Sequence, residues 1–133
     1  MTDRCRESLT AVVDDDRRVL ESLGDLLESA GHGVRLFDSA SALLASGSLA
    51  NIDCLISDID LPRVDGFELL RLAEASRPDL PVILITGHAR ITQPAPRAGG
   101  GFCRLFSKPF DGHEMLMAVS DAMRQPQRKG RCR

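Results

Sequence analysis

Four short apolar runs in this chain each end in a polar residue of a type useful in phosphate chemistry. Thr10-Ala11-Val12-Val13 runs into Asp14-Asp15, Cys54-Leu55-Ile56-Ser57 into Asp58, Val82-Ile83-Leu84-Ile85 into Thr86, and Leu105-Phe106-Ser107 into Lys108-Pro109. If Asp14, Asp15 and Asp58 meet, they cannot all stay ionised unaided, because two unit charges about 4 Å apart repel by about 4 kcal/mol at an effective dielectric of 20. A bound cation relieves that repulsion. Oxygen-only ligands favour Mg2+, which accepts a few carboxylates, keeps waters and bridges to phosphoryl groups. Asp58 is then a candidate nucleophile, since carboxylates form aspartyl phosphates. Lys108 is a candidate counter-charge and Thr86 a candidate hydrogen-bond donor to a phosphoryl oxygen.

Each of these residues also has an ordinary structural use. Asp14 and Asp15 could cap the following helix, Asp58 a turn ahead of Leu61-Pro62, Thr86 could close a strand, and Lys108 could pair with any acid. Their placement at the ends of successive apolar runs carries the chemical reading. The chain has only two lysines, Lys108 and Lys129, so a lysine directly after an apolar run is unlike generic surface decoration.

The elements that must position these residues follow from the pattern. Runs this short, rich in Val, Ile and Leu and not alternating with polar residues, suit strands buried on both faces of a parallel sheet. Val34 to Phe37 adds a fifth short strand. Between the strands, Asp16 to Ala30 carries Val19, Leu20, Leu23, Leu26, Leu27 and Ala30 at helical spacing, with Gly31 as a stop. Ser39 opens a helix to Ala45. Gly66 to Ala75 is predicted helical with Phe67, Leu69, Leu70 and Leu72 on its apolar side. Asp111 to Arg124 closes the pattern, with Met115, Leu116, Val119 and Met123 as a buried stripe.

Strands alternating with helices define an α/β, doubly wound fold. With right-handed crossovers and the strand order 2-1-3-4-5, the first and third strands are neighbours and their terminal acids meet at the carboxyl edge, where such sheets bind ligands. One stretch resists the pattern: Ile91 to Gly101 contains Pro94, Pro96 and three consecutive glycines. An interior proline costs about 3 kcal/mol in a helix and each glycine about 1 kcal/mol. The helix expected between the fourth and fifth strands should therefore be short or disrupted, with residues 88–101 the most mobile internal segment.

At 133 residues the chain suits one domain. The expected organisation is a loose stretch over residues 1–8, a folded unit over 9–124 and a flexible basic tail over 125–133. A net charge of −2, with 17 scattered basic residues against 19 acids, argues against a nucleic-acid-binding surface. No run approaches the ~20 apolar residues of a membrane span, and the N-terminus lacks a hydrophobic signal core. The four cysteines show neither CxxC spacing nor a disulfide framework, and Cys54 and Cys103 read as buried apolar fillers. A cytoplasmic protein is the expectation.

Asp14-Asp15, Ser57-Asp58 with Leu61-Pro62 and Asp65-Gly66, Thr86-Gly87 and Lys108-Pro109-Phe110 together resemble the motifs of receiver domains of two-component response regulators. The likeness runs from about Leu9 to Arg124. It implies a flavodoxin-like fold, phosphoryl transfer to Asp58 from a sensor histidine kinase or phosphotransfer protein, and an unidentified downstream protein target. It further implies Mg2+ bound by Asp15, Asp58 and the backbone carbonyl of Asp60 with help from Asp14, sensing of the phosphoryl group by Thr86 and Lys108, and a cis peptide at Lys108-Pro109. A receiver of this kind is a phosphoacceptor and not an enzyme. Many receivers carry an aromatic residue three positions before the lysine; here that position is Leu105, and Phe106 should face the other way.

Two other functions fit parts of the pattern. A haloacid-dehalogenase-like phosphatase uses an Asp-x-Asp nucleophile, and Asp58-Ile59-Asp60 matches that string, but the acidic pair such enzymes place after the lysine is missing. A receiver-fold interaction module without phosphotransfer is the remaining alternative. The chain is expected to act as a stand-alone regulator or phosphate carrier, or to be a piece of a longer protein.

Overall fold

The structure, a computed structural model, describes residues 8–61, 66–87 and 103–123. Its elements run β1 (Leu9–Val13), α1 (Arg17–Ser29), β2 (Gly33–Phe37), α2 (Ala40–Ser46), β3 (Cys54–Asp58), α3 (Gly66–Ser76), β4 (Val82–Thr86), β5 (Cys103–Ser107) and α4 (Gly112–Met123). The five strands form one sheet in the order β2-β1-β3-β4-β5, and every pairing is parallel. This is the expected topology.

Why the strands lack polar alternation is plain from their surroundings. All five residues of β3 and of β4 are buried. On one face Ala11, Val13, Leu55, Val82 and Leu84 pack with Leu43 of α2 and Leu69, Leu70 and Ala73 of α3. On the other, Val12, Cys54, Ile56, Ile83, Ile85 and Phe106 pack with Leu20, Leu23 and Leu27 of α1 and Met115, Ala118 and Val119 of α4. Each fully buried Leu or Ile contributes about 1.5–3 kcal/mol, so successive strand residues feed two cores in turn. Leu105 and Phe106 take opposite faces, as expected.

Helix ends are set by local chemistry. Asp16 caps α1, its side chain accepting a 2.9 Å hydrogen bond from the Arg18 N–H. At the other end Gly31 has φ +93°, the His32 N–H bonds the Leu27 carbonyl and the Gly31 N–H that of Glu28. This Schellman arrangement favours glycine because a side chain is strained in that left-handed region. Ser39 caps α2 by accepting from the Ala42 N–H at 3.1 Å, as its sequence position suggested.

Several expectations need correction. Leu72 is 39% exposed, and Ala73 is fully buried in its place. At about 100° per residue, Leu69, Leu70 and Ala73 define an arc from which Leu72 is rotated away. Ala30 is exposed because it lies past the last turn of α1. Ser8 is tied to the sheet margin, its carbonyl accepting from the Gly33 N–H at 2.8 Å and its hydroxyl meeting His32 Nδ1 at 2.6 Å. The expectations for Pro62, Asp65, residues 1–7, 88–101 and 125–133, and for the side chains of Phe67 and Cys103, lie outside what is described. Cys54 is buried, as predicted, and takes part in no disulfide among the described residues.

Candidate functional site

Parallel register brings the strand ends together. Val13 pairs with Ser57, Asp58 with Ile85, and Thr86 with Ser107, so Asp14, Asp58, Thr86 and Lys108 all fall at one edge. Backbone bonds beyond the ladders fix that edge: the Asp14 N–H donates to the Phe37 carbonyl at 3.1 Å, Ile59 N–H to Ile85 at 2.8 Å and Lys108 N–H to Thr86 at 2.8 Å. The Lys108-Pro109 peptide is cis.

Lys108 Nζ donates to Asp58 Oδ2 at 2.9 Å and lies 3.3 Å from Asp14 Oδ2. The second contact is an ion pair without hydrogen-bond alignment, since Asp14 Oδ2 is buried and has no hydrogen-bond partner. Carboxylate oxygens of Asp14, Asp15 and Asp58 lie within 4.8 Å of one another. Asp14 and Asp58 are buried and Asp15 is exposed, so the group opens to solvent on one side. Other oxygens are spoken for: Asp14 Oδ1 accepts from the Asp16 N–H and Asp58 Oδ1 from the Asp60 N–H, each at 2.9 Å.

Burial pushes the Asp14 carboxyl up to about 6, the Asp58 charge adds to that rise, and the Asp16 N–H and Lys108 oppose it. Lys108 is partly buried, which alone would lower its pKa, yet hydrogen bonding to Asp58 and the charge of Asp14 raise it overall. The site thus holds two buried acids against one firmly protonated amine. An acidic group of this size with an orphaned buried oxygen and oxygen-only donors fits a hard divalent cation. The donor set passes that test.

Among the sequence-identified residues, Asp14, Asp15, Asp58 and Lys108 come together around one point. Thr86 is buried at the adjoining strand end, its carbonyl clasped by the Lys108 N–H. Asp60 is exposed, and its carboxylate stands apart from the three-acid group, accepting from the Gly87 N–H at 3.4 Å. Sequence reasoning missed three features: Asp16 as helix cap, the Asp60 side chain's hold on Gly87, and Asp53, a buried acid whose Oδ2 accepts from the Leu9 N–H at 2.8 Å. The first is ambiguous in the sequence, where Asp14, Asp15 and Asp16 all precede the helical run. The other two depend on strand geometry that no spacing rule encodes.

Comparison with known proteins agrees with this geometry. Residues 10–120 match the family described as the response regulator receiver domain. The chain is 35% identical over 114 residues to the transcriptional regulatory protein FixJ of Bradyrhizobium diazoefficiens, covering 86% of this chain and 56% of that protein. It is 34% identical over 125 residues to the response regulator protein TmoT of Ectopseudomonas mendocina, covering 93% and 57%. This chain spans just over half the length of these curated relatives. Among solved structures, the response regulator StyR superposes with a TM-score of 0.79 at 32% identity, over 89% of this chain and 60% of that one. A strand-edge site built from an acidic group and a lysine, on a sheet of this order, accords with these likenesses, and the chain belongs to the receiver-domain family of two-component response regulators.

Proposed function

We propose that Asp58 accepts a phosphoryl group from the phosphohistidine of a sensor histidine kinase or phosphotransfer protein, and that residues 9–124 form the unit that does so. The observation carrying this reading is the pairing of buried Asp58 with Lys108 at 2.9 Å inside a three-carboxylate group. A carboxylate oxygen of Asp58 forms the new O–P bond while the P–N bond to the donor imidazole breaks, and that nitrogen keeps the electron pair. Lys108 Nζ has N–H donors beyond the one it gives Asp58, and these meet the transferring oxygens. The Thr86 hydroxyl donates to another. Asp14, Asp15 and Asp58, with the Asp60 backbone carbonyl, hold Mg2+. When bound, Mg2+ neutralises charge on the phosphoryl oxygens.

The chain is a phosphoacceptor and does not turn over an external ester. Its downstream target is a protein surface, and the scatter of basic residues supports no nucleic-acid contact by residues 9–124. No helix among the described residues is long and apolar enough to cross a membrane. A cytoplasmic placement is part of the same proposal.

Incubation with acetyl phosphate and Mg2+, followed by intact mass measurement, tests the reading. The expected result is a gain saturating at about one phosphoryl group per chain, absent in Asp58→Asn and without Mg2+. Continuous release of phosphate from an ester would favour a phosphatase, and no mass gain in the wild type would leave an interaction module.

A further inference from the structure

We propose that the Phe106–Phe110 aromatic pair is a positioning clamp for Lys108, aiming its amine at Asp58 by anchoring the chain two residues before and two residues after the lysine. This inference rests on Lys108 serving phosphoryl transfer to Asp58. The two rings meet edge to face, with 6.5 Å between centroids and 80° between planes, a favourable arrangement for aromatic pairs. Both belong to the core that α1 and α4 build on one face of the sheet, Phe106 buried within it and Phe110 packed against it. The Arg104 guanidinium lies over the Phe106 ring, 4.8 Å from its centroid, and adds a cation–π contact on the same strand. Leu105 packs into the opposite core, so Phe106 is the β5 residue that carries this clamp into the α1/α4 side.

The stretch that carries Lys108 has little else to fix it. Ser107, Pro109 and Asp111 are exposed, so Phe110 is the side chain that ties the passage from β5 to α4 into a core. The Lys108 N–H donates to the Thr86 carbonyl at 2.8 Å, which holds one point of the backbone and leaves the direction of the side chain to the residues on either side. A lysine stem is long and flexible, yet Nζ settles 2.9 Å from Asp58 Oδ2 and 3.3 Å from Asp14 Oδ2. Placement of that order matters for transfer, since a displacement of about 1 Å at a reacting group can cost about 100-fold in rate. The acids that would hold the cation come from the ends of β1 and β3, not from the aromatic segment. The clamp therefore acts on the amine separately from the cation.

Wild type, Phe106→Leu, Phe106→Tyr and the double exchange Leu105→Phe with Phe106→Leu are compared at a temperature where each is folded. The exchange keeps the composition and moves the ring to the other core. Leu27→Val, in the same core but at the last turn of α1, serves as a control for lost packing alone. Mass spectrometry follows the initial rate of phosphoryl gain from acetyl phosphate at saturating Mg2+, and calorimetry gives the Mg2+ affinity. Phe106→Leu and the exchange are expected to gain the group about twofold to tenfold more slowly, the scale of one aromatic pair, with Mg2+ affinity unchanged. Phe106→Tyr, which keeps the ring, should restore the rate, and Leu27→Val should lose stability at the wild-type rate. Should Phe106→Leu fail to fold, Phe110→Leu, at the less buried ring, carries the same expectation. A slowing smaller than twofold, a Mg2+ affinity that falls in step with the rate, or an equal slowing in Leu27→Val overturns the clamp while leaving Asp58 as acceptor. A wild type that takes no phosphoryl group overturns both.

Discussion

Asp14 is where burial and charge conflict most directly. Its carboxyl is raised to about 6 from an unfolded value of 3.8, first by burial and then by Asp58. A raised acid in the folded state means the folded chain binds that proton more tightly. The contribution of Asp14 to stability in the absence of metal is therefore fully present below the unfolded value and is lost as pH rises from 3.8 through about 6. Cation binding runs the opposite way, because the ligand oxygen must be ionised. Titration calorimetry should find the Mg2+ affinity weakening by up to about tenfold for each pH unit below 6 and levelling off above it, with Asp14→Asn flattening the dependence. The same substitution should stabilise the metal-free protein at pH 7 by about 2 kcal/mol and give no gain near pH 4, read from urea unfolding.

At the scale of elements, helix α1 carries the site's geometry, because its first turn follows directly from the acidic strand end. Replacing Asp16 with Ala removes the acceptor for the Arg18 N–H and should cost about 1 kcal/mol by thermal unfolding. Gly31→Ala, at φ +93°, should cost a similar ~1 kcal/mol. Three consecutive acids, Asp14, Asp15 and Asp16, precede this helix, and the sequence does not say which one caps it. The choice falls to β1, which ends at Val13 and so commits Asp14 to the sheet edge, leaving Asp16 at the helix start. Strands β3 and β4 were legible because both their faces are buried, which erases polar alternation. Leu72 was not, because in an eleven-residue helix a leucine-rich run fits more than one arc, and contact with the sheet selects among them. The Asp60 carboxylate was legible only as a letter in an Asp-x-Asp string. Its bond to Gly87 depends on how two strand ends lie beside each other.

For the molecule as a whole, the site sits on the seam between two cores, at the carboxyl edge of a sheet whose centre is inaccessible to water. The folded state alone assembles the acids, so a cation binding them stabilises folding by mass action. Saturation with Mg2+ at about 100 times its Kd should add about 2.7 kcal/mol at neutral pH, seen as a rise in Tm that Asp58→Asn largely removes. Asp58, Lys108 and the acidic pair were legible because parallel topology turns four separated strand ends into one place.

The amine shared by Asp14 and Asp58 also governs how this protein can be handled. Acylating reagents attack neutral amines, and Lys108 is held protonated by acids on β1 and β3. The chain's other lysine is Lys129. Dye conjugation through ε-amines should therefore run more slowly at the strand-edge lysine than at an ordinary lysine, and slowest at pH values where its two acids are ionised.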